Sequence, residues 1–393
     1  MNLVLFDDQS RANLLPLTYT RPLADLRVGI TTLREKWEDY NDSISSTKTE
    51  EYLSIKFPLH LEEINLFING AIFPDEDLYK AIQNINVGEG LIKDGVLIAA
   101  KLKKENANDF TSTDFTHLKT SVYEAEFLKI NHPWDLFTLN GKAIELDFQR
   151  ITNGRTSVGL DETNQIKGEQ LFVEKGGNVA NSIINTETGP VYIGKNAEIM
   201  EGSLIRGPFA ICEGSQVKMG AKIYGPTTVG PYSKIGGEVN NCILIGYSNK
   251  GHDGFLGNSV IGEWCNLGAD TNNSNLKNNY GQVKLWNYTS EEMVDTKLQF
   301  CGLIMGDHSK CGINTMFNTG TVIGVSANVF GAGFPNKFIP SFSWGGADGL
   351  VVFDQEKALE LAQRMMERRG LEFSNTDKQI LCHIFDISKK YRS

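Results

Sequence analysis

The sequence predicts an α/β N-terminal domain, then a parallel β-helix built from hexapeptide repeats, then a C-terminal helical segment. Three observations carry this expectation. Every sixth residue from Ile193 is aliphatic, through Ile199, Ile205, Ile211, Val217, Ile223, Val229 and Ile235. The positions two before these, from Ile199 onward, are Ala197, Ser203, Phe209, Ser215, Ala221, Thr227 and Ser233, nearly all small. A β-helix accounts for both columns, because stacked short strands put aliphatic side chains on the axis and small ones at the corners. Residues 1–150 lack this period and instead alternate short apolar runs with helically spaced ones.

Taken in order, Leu3-Val4-Leu5-Phe6 is a continuous apolar run of the kind buried in a parallel sheet. A polar loop follows, then Leu23, Leu26, Ile30, Leu33 and Trp37 at helical spacing. Strands are expected at Leu66–Ile68 and Val96–Ala99, with a helix carrying Leu78, Ile82 and Ile85 between them, so residues 1–150 form a helix-flanked sheet. Asn153-Gly154 and Gly176-Gly177 mark residues 151–177 as the linker and the start of the β-helix, which runs over 178–347. The repeat resumes there in other phases: Phe255, Ile261 and Leu267, then Met305, Cys311, Phe317, Ile323 and Val329 with Ser309, Thr315, Thr321 and Ala327 in the small column. Each change of phase predicts a loop. The largest, from about Asp270 to Phe300, is rich in Asn and contains Trp286 and Tyr288, a place for binding chemistry on a rigid scaffold. Residues 348–393 read as a helical cap. Asp354 is a candidate N-cap for a helix with Ala358, Leu361, Ala362, Met365 and Met366 on one face, and Ser374 to Asp377 has capping-box spacing for a second helix.

With 393 residues the chain is long enough for two or three domains. A net charge of -10 and a pI near 5.2 argue against a binder of phosphate backbones, so no nucleic-acid partner is expected; a local basic pocket for one phosphorylated metabolite remains compatible. The apolar start, Met1 to Phe6, stops at Asp7 and Asp8, too short for a signal peptide or a membrane span, and a cytoplasmic protein with no membrane partner is expected. Cys212, Cys242, Cys265, Cys301, Cys311 and Cys382 show no paired metal-ligand spacing and read as reduced packing residues.

Chemistry enters at Lys250-Gly251-His252-Asp253-Gly254-Phe255-Leu256-Gly257, followed by Val260-Ile261-Gly262, Asn266-Leu267-Gly268-Ala269 and Ser274-Asn275. This order resembles the acetyltransferase domain of the bifunctional enzymes that make UDP-N-acetylglucosamine, and of their archaeal sugar-1-phosphate relatives. The resemblance implies a left-handed β-helix, acetyl-CoA as donor, and a homotrimer with donor sites between neighbouring β-helices. It puts His252 in the place of the catalytic base, Asn266 at the sugar site, and Asn275 with Ala269 at the acetyl-CoA site. The residue types suit these roles: a sugar ammonium must lose a proton before its nitrogen attacks a thioester, and imidazole titrates near neutral pH. Asparagine amides fix hydroxyls or polarise carbonyls without adding charge. Asn240 stands where the family has a substrate lysine, and Phe255 and Leu276 where it has tyrosines. Lys234, Lys250 and Arg206 are therefore candidates to hold the sugar phosphate.

Near the start, Arg11, Leu14-Leu15-Pro16-Leu17-Thr18 and Arg21-Pro22-Leu23 resemble the sugar-nucleotidyltransferase signature without its glycines. That resemblance implies Arg11, Arg21 and Arg27 on the triphosphate of UTP or another NTP, with Mg2+. Ile68-Asn69-Gly70 lies where the family carries a magnesium-holding aspartate, so the metal ligands are unknown; Asp75 and Asp77 are nearby. With Pro133-Trp134-Asp135-Leu136 and the long tail, the whole chain resembles the bacterial GlmU-like family, an alternative form of the bifunctional UDP-N-acetylglucosamine diphosphorylase/glucosamine-1-phosphate N-acetyltransferase. The implied activity is acetyl transfer to the amine of glucosamine 1-phosphate, coupled to uridylyl transfer from UTP. The alternatives are an acetyltransferase whose N-terminal domain only binds sugar nucleotides, and a β-helix scaffold without chemistry.

Overall fold

The structure, a computed structural model, describes residues 2–107 and 109–392. It divides into two compact units: Met1–Leu14 with Thr20–Leu26 and Thr31–His132, and Leu15–Tyr19 with Arg27–Ile30 and Pro133–Ser393.

The first unit is a mixed sheet of β1 (Asn2–Phe6), β2 (Ser45–Lys48), β3 (Ile64–Asn69), β4 (Glu89–Lys93), β5 (Val96–Lys103) and β6 (Lys119–Val122) in the order β2-β1-β3-β5-β4-β6. β1 runs parallel to both its neighbours, whereas β3 with β5 and β5 with β4 are antiparallel. The pleat sends alternate residues of β1 to opposite faces. Leu3 and Leu5 join Leu66, Ile68, Trp37 and the helix Glu76–Gln83 through Leu78 and Ile82, while Val4 and Phe6 pack with Phe67 and Phe110. A run buried on both faces has no polar alternation, which is why Leu3–Phe6 is continuous.

The helix expected across Leu23–Trp37 forms only in its last part, Leu33–Asn41. Thr32 starts it with a capping box, its hydroxyl accepting from the Glu35 amide at 3.1 Å while the Glu35 carboxylate accepts from the Thr32 amide at 2.6 Å. Upstream, Gly29 has φ +77° and a Cβ there would lie 2.5 Å from Asp147 Oδ2, so the chain cannot coil through this point and Arg27–Ile30 belongs to the second unit. Strand β2, with sequence Ser-Ser-Thr-Lys, carries no apolar signal and is found only through its pairing with β1.

The second unit is a parallel β-solenoid of the left-handed β-helix type with about ten turns, followed by helices. Three hexapeptides make a coil, so Ile193 pairs with Ile211 and Ile211 with Val229. All of the aliphatic column from Ile193 to Ile235 is buried in one core with Met305, Cys311, Phe317, Ile323 and Val329. The small column is buried as well, and its hydroxyls tie corners together: Ser215 Oγ donates to the Gly230 carbonyl at 2.7 Å and accepts from the Ser233 amide at 2.9 Å. Phe255 is an exception to the expected second array. It lies half-buried on the outside, and Leu256, paired with Val239, fills the axis instead. The register explains this. Only 15 residues separate Val229 from its partner Leu244, against 18 between Ile211 and Val229, so a corner is dropped and the nine-residue strands Glu238–Gly246 and Phe255–Glu263 run straight through it.

Pro133-Trp134-Asp135-Leu136 opens the helix Pro133–Thr152, which is part of this second unit. Its Ile144 packs with Phe172, Tyr192 and Ala210; Asn140 Oδ1 accepts from the Gly29 amide and Thr228 hydroxyl, and Asp147 from the Ile30 amide. The first compact unit ends at His132, and strands of the second begin within residues 151–177, at Gln165–Lys167 and Leu171–Val173. The tail folds as two helices. Asp354 caps Gln355–Glu367 through the Lys357 amide, and Ser374 caps Asn375–Ile387 in a capping box with Asp377. Among the described residues no helix is long and apolar enough to cross a membrane.

Candidate active site

His252 sits exposed in the turn that links the strand Asn249–Lys250 to Phe255–Glu263. Gly254 makes the turn possible, with φ +111° and the Thr271 backbone so close that any Cβ would meet it. Lys250 holds the turn from below. Named above as a candidate to hold the sugar phosphate, it occupies the axial column, paired with Ile235, and is 1% exposed. Its ammonium donates to the His252 carbonyl and, at 3.0 Å, to that of Asp253. Burial pushes it down to about 8, with Asp253 opposing. A charge inside the solenoid cannot also grip a ligand on the outside, so Lys250 acts on the turn that presents His252.

Two outward rows flank that turn. One runs Lys234, Asn249, Asn266, Lys310 on successive coils. Asn266 is half-buried, and its side chain makes no hydrogen bond among the described residues, leaving the amide available to a ligand. The other row runs Tyr224, Asn240, Gly257, with Arg206 exposed two coils from Asn240.

The Asn-rich segment after Ala269 braces the strand that follows the turn. Asn272 Oδ1 accepts from the Phe255 amide at 2.8 Å; buried Asn273 exchanges hydrogen bonds with Gly257 at 2.8 and 3.0 Å; and Asn275 Nδ2 donates to Asn258 Oδ1 at 2.8 Å. A Cβ at Gly257 would lie 2.5 Å from the Phe255 ring and 2.7 Å from Asn275 Nδ2, so a larger residue would have to move both side chains. Ala269 accepts from the Asn314 amide at the edge of an open groove of about 500 Å³ lined by Asp270, Asn272, Ile313, Asn314, Met316 and Gly331. Trp286 and Tyr288, expected in a binding loop, form packing instead: the antiparallel hairpin Lys284–Asn287/Glu292–Asp295 stacks Trp286 on Phe338 at 4.2 Å and sets Tyr288 edge-on to Phe338 and Tyr391.

In the first unit the loop after β1 is filled by its own charges. Arg11 is buried, 3.2 Å from the Asp7 carboxylate and 3.5 Å from Glu50, and donates to Tyr52 Oη at 2.8 Å. Burial pushes Asp7 up to about 6 against the pull of Arg11. Partial burial would raise Asp8, but Lys129 at 3.1 Å, Ser10 and Asn69 hold it below the usual range. Arg21 is 5% exposed. Arg27 belongs to the second unit, where its guanidinium donates to the carbonyls of Ile245 and Ile30, a structural role where a triphosphate contact was expected. Asp7 and Asp8 are saturated, Asp75 caps the helix Glu76–Gln83, and among the described residues no group of three metal-binding side chains converges. The acidic loop was legible as Asp7-Asp8, but the ion pairs that fill it were not, because Glu50, Tyr52 and Lys129 come from distant sequence.

Residues 3–156 match the family described as sugar nucleotidyl transferase. The chain carries an N-terminal sugar nucleotidyl transferase domain. Over 273 residues it is 24% identical to the bifunctional sugar-1-phosphate nucleotidylyltransferase/acetyltransferase of Sulfurisphaera tokodaii, covering 69% of this chain and 59% of that protein. Over 120 residues it is 32% identical to the bifunctional protein GlmU of Methanococcus aeolicus, covering 30% of this chain and 25% of that one. The chain thus spans about three-fifths or less of the length of these relatives. The solved polySia-specific acetyltransferase NeuO matches 53% of this chain and 99% of its own at 14% identity, with a TM-score of 0.26.

Proposed function

We propose that the second unit transfers the acetyl group of acetyl-CoA to the amine of a sugar 1-phosphate, glucosamine 1-phosphate. The observation that carries this is the exposed His252 on a turn clamped by Lys250 from inside the solenoid, beside the available amide of Asn266. His252 takes a proton from the sugar ammonium, and the freed nitrogen attacks the thioester carbonyl. The tetrahedral intermediate collapses with expulsion of the CoA thiolate, which takes the nitrogen's second proton and leaves as the thiol. Asn266 orients the sugar; the groove beside Ala269 takes the pantetheine arm, whose apolar stretch suits exposed Ile313 and Met316. Cytoplasmic, homotrimeric enzyme is the assembly this reading expects, and light scattering checks it.

A second activity, uridylyl transfer from UTP to N-acetylglucosamine 1-phosphate with release of pyrophosphate, is supported by the family match over residues 3–156. Against it stands the loop after β1, where Asp7 and Glu50 already engage Arg11. The test records thiol release from acetyl-CoA and pyrophosphate release from UTP in parallel. Thiol release without pyrophosphate release assigns the first unit to sugar-nucleotide binding alone, and release of neither leaves a scaffold.

A further inference from the structure

A protein of net charge -10 gathers four cations beside His252. Lys218 and Lys234 come from neighbouring coils of the solenoid; Arg368 and Arg369 follow the helix Gln355–Glu367. Arg369 Nη2 donates to Asn249 Oδ1 at 3.1 Å, which fixes it on the row between Lys234 and Asn266. Lys218 reaches the same row, its ammonium 2.7 Å from Gln216 Oε1, and Gln216 pairs with Lys234. The stems of both lysines lie over Gly251, within 3.9 and 4.0 Å of where its Cβ would be, and His252 is the next residue.

We propose that Lys218, Lys234, Arg368 and Arg369 form a phosphate site that holds the 1-phosphate of the amino sugar, an assignment that rests on the acetyltransferase reading above. Like charges do not converge without cost. Lys234 is pushed below its usual range by burial, then by Lys218, Arg369 and Arg368, with only Glu198 opposing; Arg369 is pushed down by burial and then by Arg368. Glu198, the one carboxylate named against four cations, offsets the group only in part from the coil beyond Gln216, whose Nε2 donates to it at 2.9 Å. Lys310, next along the row, gives its ammonium to the His308 carbonyl at 2.6 Å and lies outside the cluster. A doubly charged phosphate relieves the repulsion, and an arginine fork with lysine point charges is the donor set that suits it.

Geometry selects the acceptor's phosphate over the donor's. In a 2-amino sugar 1-phosphate the amine and the phosphate sit on adjacent ring carbons, so the base and the phosphate site must be close neighbours, as His252 and the cations flanking Gly251 are. The groove that suits pantetheine lies beyond Ala269, on coils further along the axis. The sequence hid this site because two of its four cations lie more than a hundred residues downstream, in a tail that reads only as a helical cap.

The test compares wild type with Arg369→Gln, Lys234→Gln and the charge-keeping Arg369→Lys, all checked for unchanged thermal unfolding. Each glutamine variant should raise KM for glucosamine 1-phosphate about tenfold or more while leaving KM for acetyl-CoA within about twofold, and Arg369→Lys should recover most of the loss. Inorganic phosphate should compete with the sugar phosphate in wild type and less well in the glutamine variants; turnover of unphosphorylated glucosamine should not change. A rise in KM for acetyl-CoA alone would move the site to the donor's phosphates and overturn the assignment, as would unchanged KM for both substrates. Calorimetric titration of glucosamine 1-phosphate without acetyl-CoA separates the two readings. Binding weakened in the variants without any turnover keeps the phosphate site and sinks the acetyltransferase; equal binding by wild type and variants sinks the site.

Discussion

The coils from Ile193 to Ile235 and those from Val239 to Asn273 share one scaffold and differ in almost everything else. In the first stretch each coil takes 18 residues, the axis is wholly aliphatic, and serine hydroxyls close the corners. In the second, coils shorten to as few as 15 residues, Lys250 stands in the axial column, and asparagine side chains brace the strands. The difference teaches where a solenoid can place chemistry. A regular coil leaves no backbone free to reach a ligand, whereas a dropped corner and an axial ammonium create a turn, and that turn presents His252.

The comparison can be broken or sharpened by mutation. The largest effect is expected at the turn: His252→Ala should lower acetyl transfer by about 10²–10⁴-fold, read as thiol release, with unfolding unchanged because the side chain is exposed. In the regular coils the opposite pattern is expected. Ile211→Ala should cost about 2–5 kcal/mol of stability by chemical denaturation while activity per folded molecule stays intact; a fall in kcat would break the division between scaffold and site.

Lys250→Met should split the two properties at one residue. The folded lysine titrates near 8 rather than 10.5, so its charged form opposes folding below about pH 8. As pH rises from about 8 to 10.5 the folded state sheds its proton before the unfolded one does, and wild-type stability increases relative to the variant. At pH 7 the methionine variant should therefore be more stable by about 2 kcal/mol, converging on wild type at high pH, while thiol release falls about tenfold through loss of the hold on the His252 turn. The smallest effect is expected at Ser215→Ala, about 1–2 kcal/mol, from the unpaired Gly230 carbonyl and Ser233 amide.

The two units were unequally legible. Binary periodicity exposed the solenoid because each axial residue meets the next coil at a fixed interval, and it failed at Phe255 because the interval changes where the corner is lost. In the first unit β1, β3 and β5 announced themselves as apolar runs, but β2 is polar and exists only by pairing with β1, and the apolar series Leu23–Trp37 is helical only after Thr32. Of the site, His252, Asn266 and Lys234 were visible as motif positions. Arg369 was not, since nothing local distinguishes it from a solvated helix end.

By itself the sequence determined the solenoid, its axial and corner columns, the caps at Asp354 and Ser374, and the turn carrying His252. These follow from interactions between residues near in sequence or one coil apart, which leave a period or a fixed spacing. Only the tertiary structure decided that Lys250 points into the axis, that Arg27 and the helix Pro133–Thr152 belong to the second unit, that Asp7 and Glu50 engage Arg11, and that the tail brings Arg368 and Arg369 to Lys234. Each of those depends on which groups meet after chain segments far apart in sequence have packed, and burial and charge pairing at such meetings leave no local pattern to read.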